Sequence, residues 1–156
     1  MTNLILLFCN LSFNLLQSGN IKHMRTRLFK DSDYEMVQKW WVAHGQPPVS
    51  LSQLQTIGLI GYTDENEPAC ALWAYRSKGV GVAFLEHLIT SPKIVSPMKK
   101  IRAMHYMVDH LIDILQMDGY QMIRACTWSD TFAKACQKRW GFQLIGDNYN
   151  NLSLIV

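Results

Sequence analysis

The sequence has no C-x-x-C pair and no H-E-x-x-H run. Its four cysteines, Cys9, Cys70, Cys126 and Cys136, stand far apart. That spacing excludes the usual zinc and dithiol redox motifs, and free thiols in a reducing cytosol are the expectation, with no metal site. Charge is sparse. Asp, Glu, Lys and Arg make up 17% of the chain, and 15 basic against 12 acidic residues leave a net +3. So mild a balance does not describe a nucleic-acid binder. Long apolar runs are missing too: the longest, Leu4 to Leu16, falls short of the roughly 20 residues a membrane-spanning helix needs. There is no internal repeat and no low-complexity tract. What remains is 156 residues, 49% of them hydrophobic, enough for one globular domain with a real core.

The apolar start lacks the marks of a secretory signal. No basic residue precedes it, and Gln17-Ser18-Gly19-Asn20 is a poor cleavage site. Residues 1–23 are therefore either an appendage that packs on a neighbour or a membrane surface, or an extension upstream of a true start at Met24. The second is preferred, because Met24 leads directly into a strand. The expected domain covers residues 24–156 and a cytoplasmic location is expected.

From Met24 the periodicities are legible. Arg25 to Phe29 reads as a strand, and a capping box of Ser32 and Glu35 opens a helix with Tyr34, Val37, Trp40 and Trp41 as its stripe. Adjacent Trp40 and Trp41 are not expected to face one core together. Gly45, Pro47 and Pro48 end that helix. Ile57 to Tyr62 and Ala69 to Tyr75 form a hairpin around a polar turn, and Val82 to Thr90 is a long, central strand. Ser96-Pro97 then starts a long helix with Ile101, Met104, His105, Val108, Leu111, Ile112 and Leu115 on its apolar face. Tyr120 to Cys126 is a strand. A last helix carries Phe132, Cys136 and Trp140 inward, Gly141 breaks it, and Phe142 to Ile145 and Leu152 to Ile155 close the order as strands. Trp73 and Trp140 are expected in the core. The pattern predicts an α/β (α+β layered) domain with a mixed, mostly antiparallel sheet of six to seven strands between helices.

Asp130 to Phe142, DTFAKACQKRWGF, resembles the N-x-x-A-x-x-L-Y-x-K-x-G-F helix of the GNAT acetyltransferase superfamily, with Ala133, Arg139, Gly141 and Phe142 in matching places. Leu88-Ile89-Thr90-Ser91-Pro92 is similar to the family's fourth strand. The resemblance covers about 130 residues from Met24 onward. It implies acetyl-coenzyme A as acyl donor, held by the backbone of Leu88, Ile89 and Thr90, by the helix start at Ser96, Met98, Lys99 and Lys100, and by Asp130 and Ala133 on the last helix. The physics of the helix start stands apart from the name: an N-terminus offers free N–H groups and about half a positive charge to an anion. Lys93, Lys99, Lys100 and Arg102 cluster there with no acidic residue between them. Their alternative reading is a solvated face.

The departures from the family pattern are specific. Val95 to Lys100 contains no glycine where a Q/R-x-x-G-x-G/A loop is usual. Pro97 removes an N–H, and Gln137 stands in place of the tyrosine that often protonates the departing thiolate. If chemistry survives, the resemblance implies direct attack of an acceptor amine on the acetyl thioester. Glu86 is then the candidate base, sharing by parity a strand face with Leu88 and Thr90, while His87 points oppositely as a packing residue. Glu86 reads alternatively as a strand-end glutamate facing water or an arginine. Trp128 is a candidate cofactor or acceptor contact. Two functions follow: an N-acetyltransferase acting on a small-molecule or protein amine, or a catalytically silent GNAT-like domain for binding or assembly, similar to compact phage-encoded versions. The hydrophobic periodicity is complete without residues 1–23, so a chain starting at Met24 should melt within a few degrees of the full chain in a calorimeter; an insoluble or much less stable product would place Leu4 to Leu16 in the core.

Overall fold

The computed structural model describes residues 24–156 except 55, 78, 128 and 146–149. The apolar start, Trp128 and the middle of the last turn thus lie outside the described residues. Strands β1 (Arg25–Leu28), β2 (Ile57–Tyr62), β3 (Pro68–Ser77), β4 (Val82–Thr90), β5 (Met122–Thr127), β6 (Gln143–Leu144) and β7 (Asn150–Ile155) form one sheet in the order β1-β2-β3-β4-β5-β7-β6. Every pairing is antiparallel except β4 with β5. This is the mixed, mostly antiparallel sheet the periodicities predict, with β4 at its centre.

Helices α1 (Tyr34–Ala43), α2 (Pro97–Met117) and α3 (Asp130–Trp140) cover the sheet. Strands with apolar residues on both sides need cover on both faces. On one face Leu59, Leu72, Leu85 and Ile123 meet Met107, Leu111 and Leu115 of α2, and Ala133 and Cys136 of α3. On the other, Ile60, Ala71, Trp73 and Ile89 meet Val37, Trp40 and Trp41 of α1. Trp41 stacks on Trp73 with ring centroids 5.7 Å apart, and Phe29 meets Trp73 edge-on at 5.1 Å. Aromatic pairs of this kind add roughly 0.5–1.5 kcal/mol each beyond their burial.

Four expectations change. Helix α1 does not start from a Ser32–Glu35 box. Asp31–Asp33 forms a 3-10 turn, and the Asp33 carboxylate accepts from Lys30 N at 2.9 Å and from both Arg27 terminal nitrogens at 2.6 and 2.7 Å. A two-pronged, charge-assisted bond outcompetes a neutral serine cap, and Arg27 holds the Asp33 carboxyl below its usual range. Trp40 and Trp41 are both buried, at 3% and 2% exposure, because Leu54 and Val49 from the chain after α1 join the same cluster. Trp140 is only half-buried. Its indole N–H donates to Asp109 at 2.6 Å, beside the Arg139–Asp109 ion pair at 2.6 Å, so it seals the α2–α3 seam rather than filling the core.

The inward face of α2 is also turned: Ile101 is exposed, while Ala103, Met107 and Ile114 are buried. Gly61 explains the turn. A β-carbon there would lie 2.7 Å from Cys70 Sγ, 3.1 Å from the Ala103 carbonyl and 3.2 Å from Met107 Cβ, so β2 and α2 touch through bare backbone. Gly61→Ala should therefore wedge the helix off the sheet and destabilise by about 1–3 kcal/mol, roughly 2–4 °C of Tm per kcal/mol. An unchanged melting curve would show that α2 has room to shift.

Candidate active site

The site grows from an irregularity in β4. Ala71 pairs with Ile89 and Trp73 with Glu86, so Leu72 alone faces both His87 and Leu88. This is a β-bulge, and His87 takes a left-handed φ of 60° to make it. The extra residue breaks the alternation on which the sequence reading of β4 rested. Leu88 packs against the α2-side core and Thr90 registers with Cys70 of that core, whereas Glu86 shares the α1 side with Ile89 and Phe84. His87 does not point away from Glu86 either. Its ring meets Tyr75 edge-on at 5.6 Å, and Tyr75 packs on the α1-side cluster. Burial lowers the His87 imidazole and the nearby Glu86 carboxylate opposes that shift. Burial, then Glu86, raises the Tyr75 hydroxyl, which donates to the Gln53 carbonyl at 2.8 Å.

From Glu86, just before the bulge, β4 has no parallel register partner. The β4–β5 register runs only from Val82/Met122 to Leu85/Ala125, although β4 continues to Thr90 and β5 to Thr127. The two strands part there like the arms of a V. Ser91 N donates to the Ala69 carbonyl at 2.7 Å, so the Cys70/Thr90 pair is a non-hydrogen-bonded one and the Thr90 N–H and C=O face the gap. The Thr90 carbonyl is already taken: Nε2 of His44, at the end of α1, donates to it at 2.9 Å. A cleft of about 230 Å³ opens on this side, lined by Phe84, Glu86, Arg124, Ala125, Cys126 and Leu152.

Ser96 caps α2, its hydroxyl accepting from Lys99 N at 3.4 Å, with Pro97 in the first turn. Lys100 N bonds to the Ser96 carbonyl at 3.3 Å. Among the first-turn amides only the Met98 N–H therefore lacks an assigned local partner. Lys99 Nζ is held by Glu65 at 2.5 Å, which lowers the Glu65 carboxyl to about 2 and raises the lysine. The basic cluster is thus Lys93, Lys100 and Arg102, with Lys99 already neutralised. On α3, Asp130 is exposed at the first helical position and Ser129 provides the cap, accepting from Phe132 N at 3.2 Å. Ala133 is buried in the core, and Gly141 ends the helix at a φ of 74°.

The fold thus gathers Glu86, Leu88, Ile89 and Thr90 at the strand gap, while Ser96, Met98, Lys99 and Lys100 stand at the start of α2, and Asp130 and Ala133 on α3. Sequence reasoning missed His44, Arg124 and Cys126. A charged residue inside the otherwise apolar run MIRAC was the one available signal for Arg124; His44 depends on a contact 46 residues away in the chain. Among the described residues no cluster of three or more His, Cys, Asp or Glu is placed to hold a metal ion, and no helix is long and apolar enough to cross a membrane.

The cysteines differ sharply. Burial pushes the Cys70 thiol up to about 12 and Cys136 up to about 11, while Cys126 is exposed at the cleft wall. Alkylation needs an accessible thiolate. Iodoacetamide near neutral pH should modify Cys126 well before Cys70 or Cys136, as mapped by peptide mass; equal labelling of Cys70 would mean that the α2 face opens readily.

By sequence, no family model and no curated protein matches the chain. By structure, it superimposes on N-acetylglutamate synthase from Neisseria gonorrhoeae in complex with coenzyme A and N-acetyl-glutamate, at 14% identity and a TM-score of 0.63, covering 85% of this chain and 35% of that one. The chain therefore spans about a third of the synthase. A GNAT-family acetyltransferase from Staphylococcus aureus matches at 9% identity and a TM-score of 0.64, covering 85% of this chain and 99% of that one. A GNAT-superfamily phosphinothricin acetyltransferase from Sinorhizobium meliloti, in complex with acetyl-coenzyme A, matches at 9% identity and 0.64, covering 85% and 88%. At these identities the likeness is one of architecture: the chain has the GNAT acetyltransferase fold.

Proposed function

We propose that the protein is an N-acetyltransferase that moves an acetyl group from acetyl-coenzyme A to an amine by direct attack. The observation that carries this reading is the parting of β4 from β5 immediately beside the half-buried Glu86. A donor with amides along an extended arm can add to the freed edge of β4 as a strand would, using the Thr90 N–H that faces the gap. Its phosphates would meet the start of α2, through the Met98 N–H and the side chains of Lys93, Lys100 and Arg102. Without glycines, that end grips by side-chain charge rather than by a backbone cradle.

Glu86 removes a proton from the acceptor ammonium. The nitrogen lone pair then attacks the thioester carbonyl carbon, a C–N bond forms, and the oxyanion that develops on the arm's terminal carbonyl is met by the Thr90 N–H. As the intermediate collapses the C–S bond breaks and the remaining extra proton leaves the nitrogen for solvent or sulfur. Gln137, a carboxamide, cannot act as an acid. A thiol of pKa about 8.5 leaves well enough as thiolate that an acid is not obligatory.

The competing reading, a silent domain, is favoured by Pro97, the missing glycines and Gln137. Two measurements separate them. Millimolar acetyl-coenzyme A should raise the Tm of the enzyme by mass action, and no rise would leave the silent domain as the account. Glu86→Gln should then keep that rise while thiol release in the presence of amine falls roughly 10²–10⁴-fold. Near-wild-type turnover would remove Glu86 as the base.

A further inference from the structure

Arg124 lies in the cleft, and among the described residues it holds no carboxylate. Its register partners on the two neighbouring strands are Phe84 and Ser153, neither of them acidic. Among the described residues it is in no ion pair, whereas Arg27, Arg76 and Arg139 each hold an aspartate at 2.6, 3.0 and 2.6 Å. Glu86, on the other wall, also pairs with no basic residue among those described. The two side chains leave the same sheet face one strand and two residues apart, about 8 Å between α-carbons from strand spacing and rise, and slightly more where the strands part. A guanidinium and a carboxylate on one sheet face of the same cleft, with no ion pair between them or to any other described residue, suit a ligand that carries both charges.

We infer that the acceptor is a small amine bearing a carboxylate, an amino acid, whose carboxylate is held by Arg124 while its ammonium meets Glu86. The inference rests on the acetyltransferase reading for its chemistry, though not for its binding test. Size agrees: a cleft of about 230 Å³ has room for a small acceptor. The planar fork of arginine matches a carboxylate in two parallel hydrogen bonds, which gives orientation as well as affinity. With its carboxylate fixed, the substrate's nitrogen is aimed along the cleft towards the gap between β4 and β5. Arg124 is thus a specificity-determining residue. Ser153, beside it on β7, is placed to add a hydroxyl contact.

The test uses the full chain and a panel of the twenty amino acids, their carboxamides and their decarboxylated amines, read by saturation-transfer NMR without any acyl donor. At least one free acid should bind more than tenfold tighter than its amide and its amine. Arg124→Gln should abolish that preference, and Arg124→Lys should restore part of it. Arg124 is exposed, so both variants should melt like the wild type. Acids, amides and amines binding alike, no acid binding at all, or a preference that survives Arg124→Gln would each overturn the inference. In turnover with acetyl-coenzyme A, Arg124→Gln should raise KM for the acid 10–100-fold with kcat within about threefold. Failure to bind acetyl-coenzyme A would sink the acetyltransferase reading while the NMR result stands separately.

Discussion

The candidate site depends on one extra residue in β4. With His87 and Leu88 both opposite Leu72, the strand cannot keep phase with its neighbours, and past Leu85 it is no longer paired with β5. A non-glycine residue in the left-handed region costs about 1–2 kcal/mol. His87 stays there because the pairs on either side are pinned: Glu86 opposite the fully buried Trp73, Ile89 opposite the fully buried Ala71. The core therefore holds the strain, and the gap is its product. Backbone strain supported in this way is found where a chain binds or reacts.

The remaining packing fixes the two arms of the gap. On the β4 side, the His44 bond to Thr90 ties the end of α1 to the last residue of the strand, and the Trp41–Trp73 stack fixes α1 to the sheet beneath. On the β5 side, α3 is fastened to α2 by Asp109, which takes both Arg139 and Trp140, and α2 is fastened to β1 by the buried Thr26 hydroxyl on His110 and to β2 by contact at Gly61. Each fastening joins elements far apart in sequence. The two arms of the gap are thus each tied to the helices that cover the sheet.

What was legible in the sequence was periodic: the strands, the long helix from Ser96, the hairpin turn and the glycine that ends α3 all follow from alternation, capping and turn chemistry. What was not legible came from competition between partners. Asp33 serves Arg27 and the Lys30 amide, displacing the Ser32 box; α2 turns towards Gly61, exposing Ile101; Trp40 and Trp41 are both covered because the chain after α1 folds back over them. The bulge is the sharpest case. Val82 to Thr90 is so largely apolar that no break in alternation marks an extra residue, and a single insertion exchanges the faces of everything beyond it. Glu86 lines the cleft as a candidate, and the faces of the residues after it were misread for that one reason.

Electrostatics explains how the site divides its work. At the start of α2 one lysine is already bound to Glu65, one amide is capped by Ser96 and another is replaced by proline, so the pull on a diphosphate is weaker and more exposed to salt than in a glycine cradle. The gap offers the reverse: an unpaired strand edge, a half-buried carboxylate and an arginine in no ion pair among the described residues. Affinity for a donor would then come mainly from its arm along β4 and less from its phosphates. Discrimination would come from the acceptor end, where two opposite charges line one cleft and one small ligand could join them.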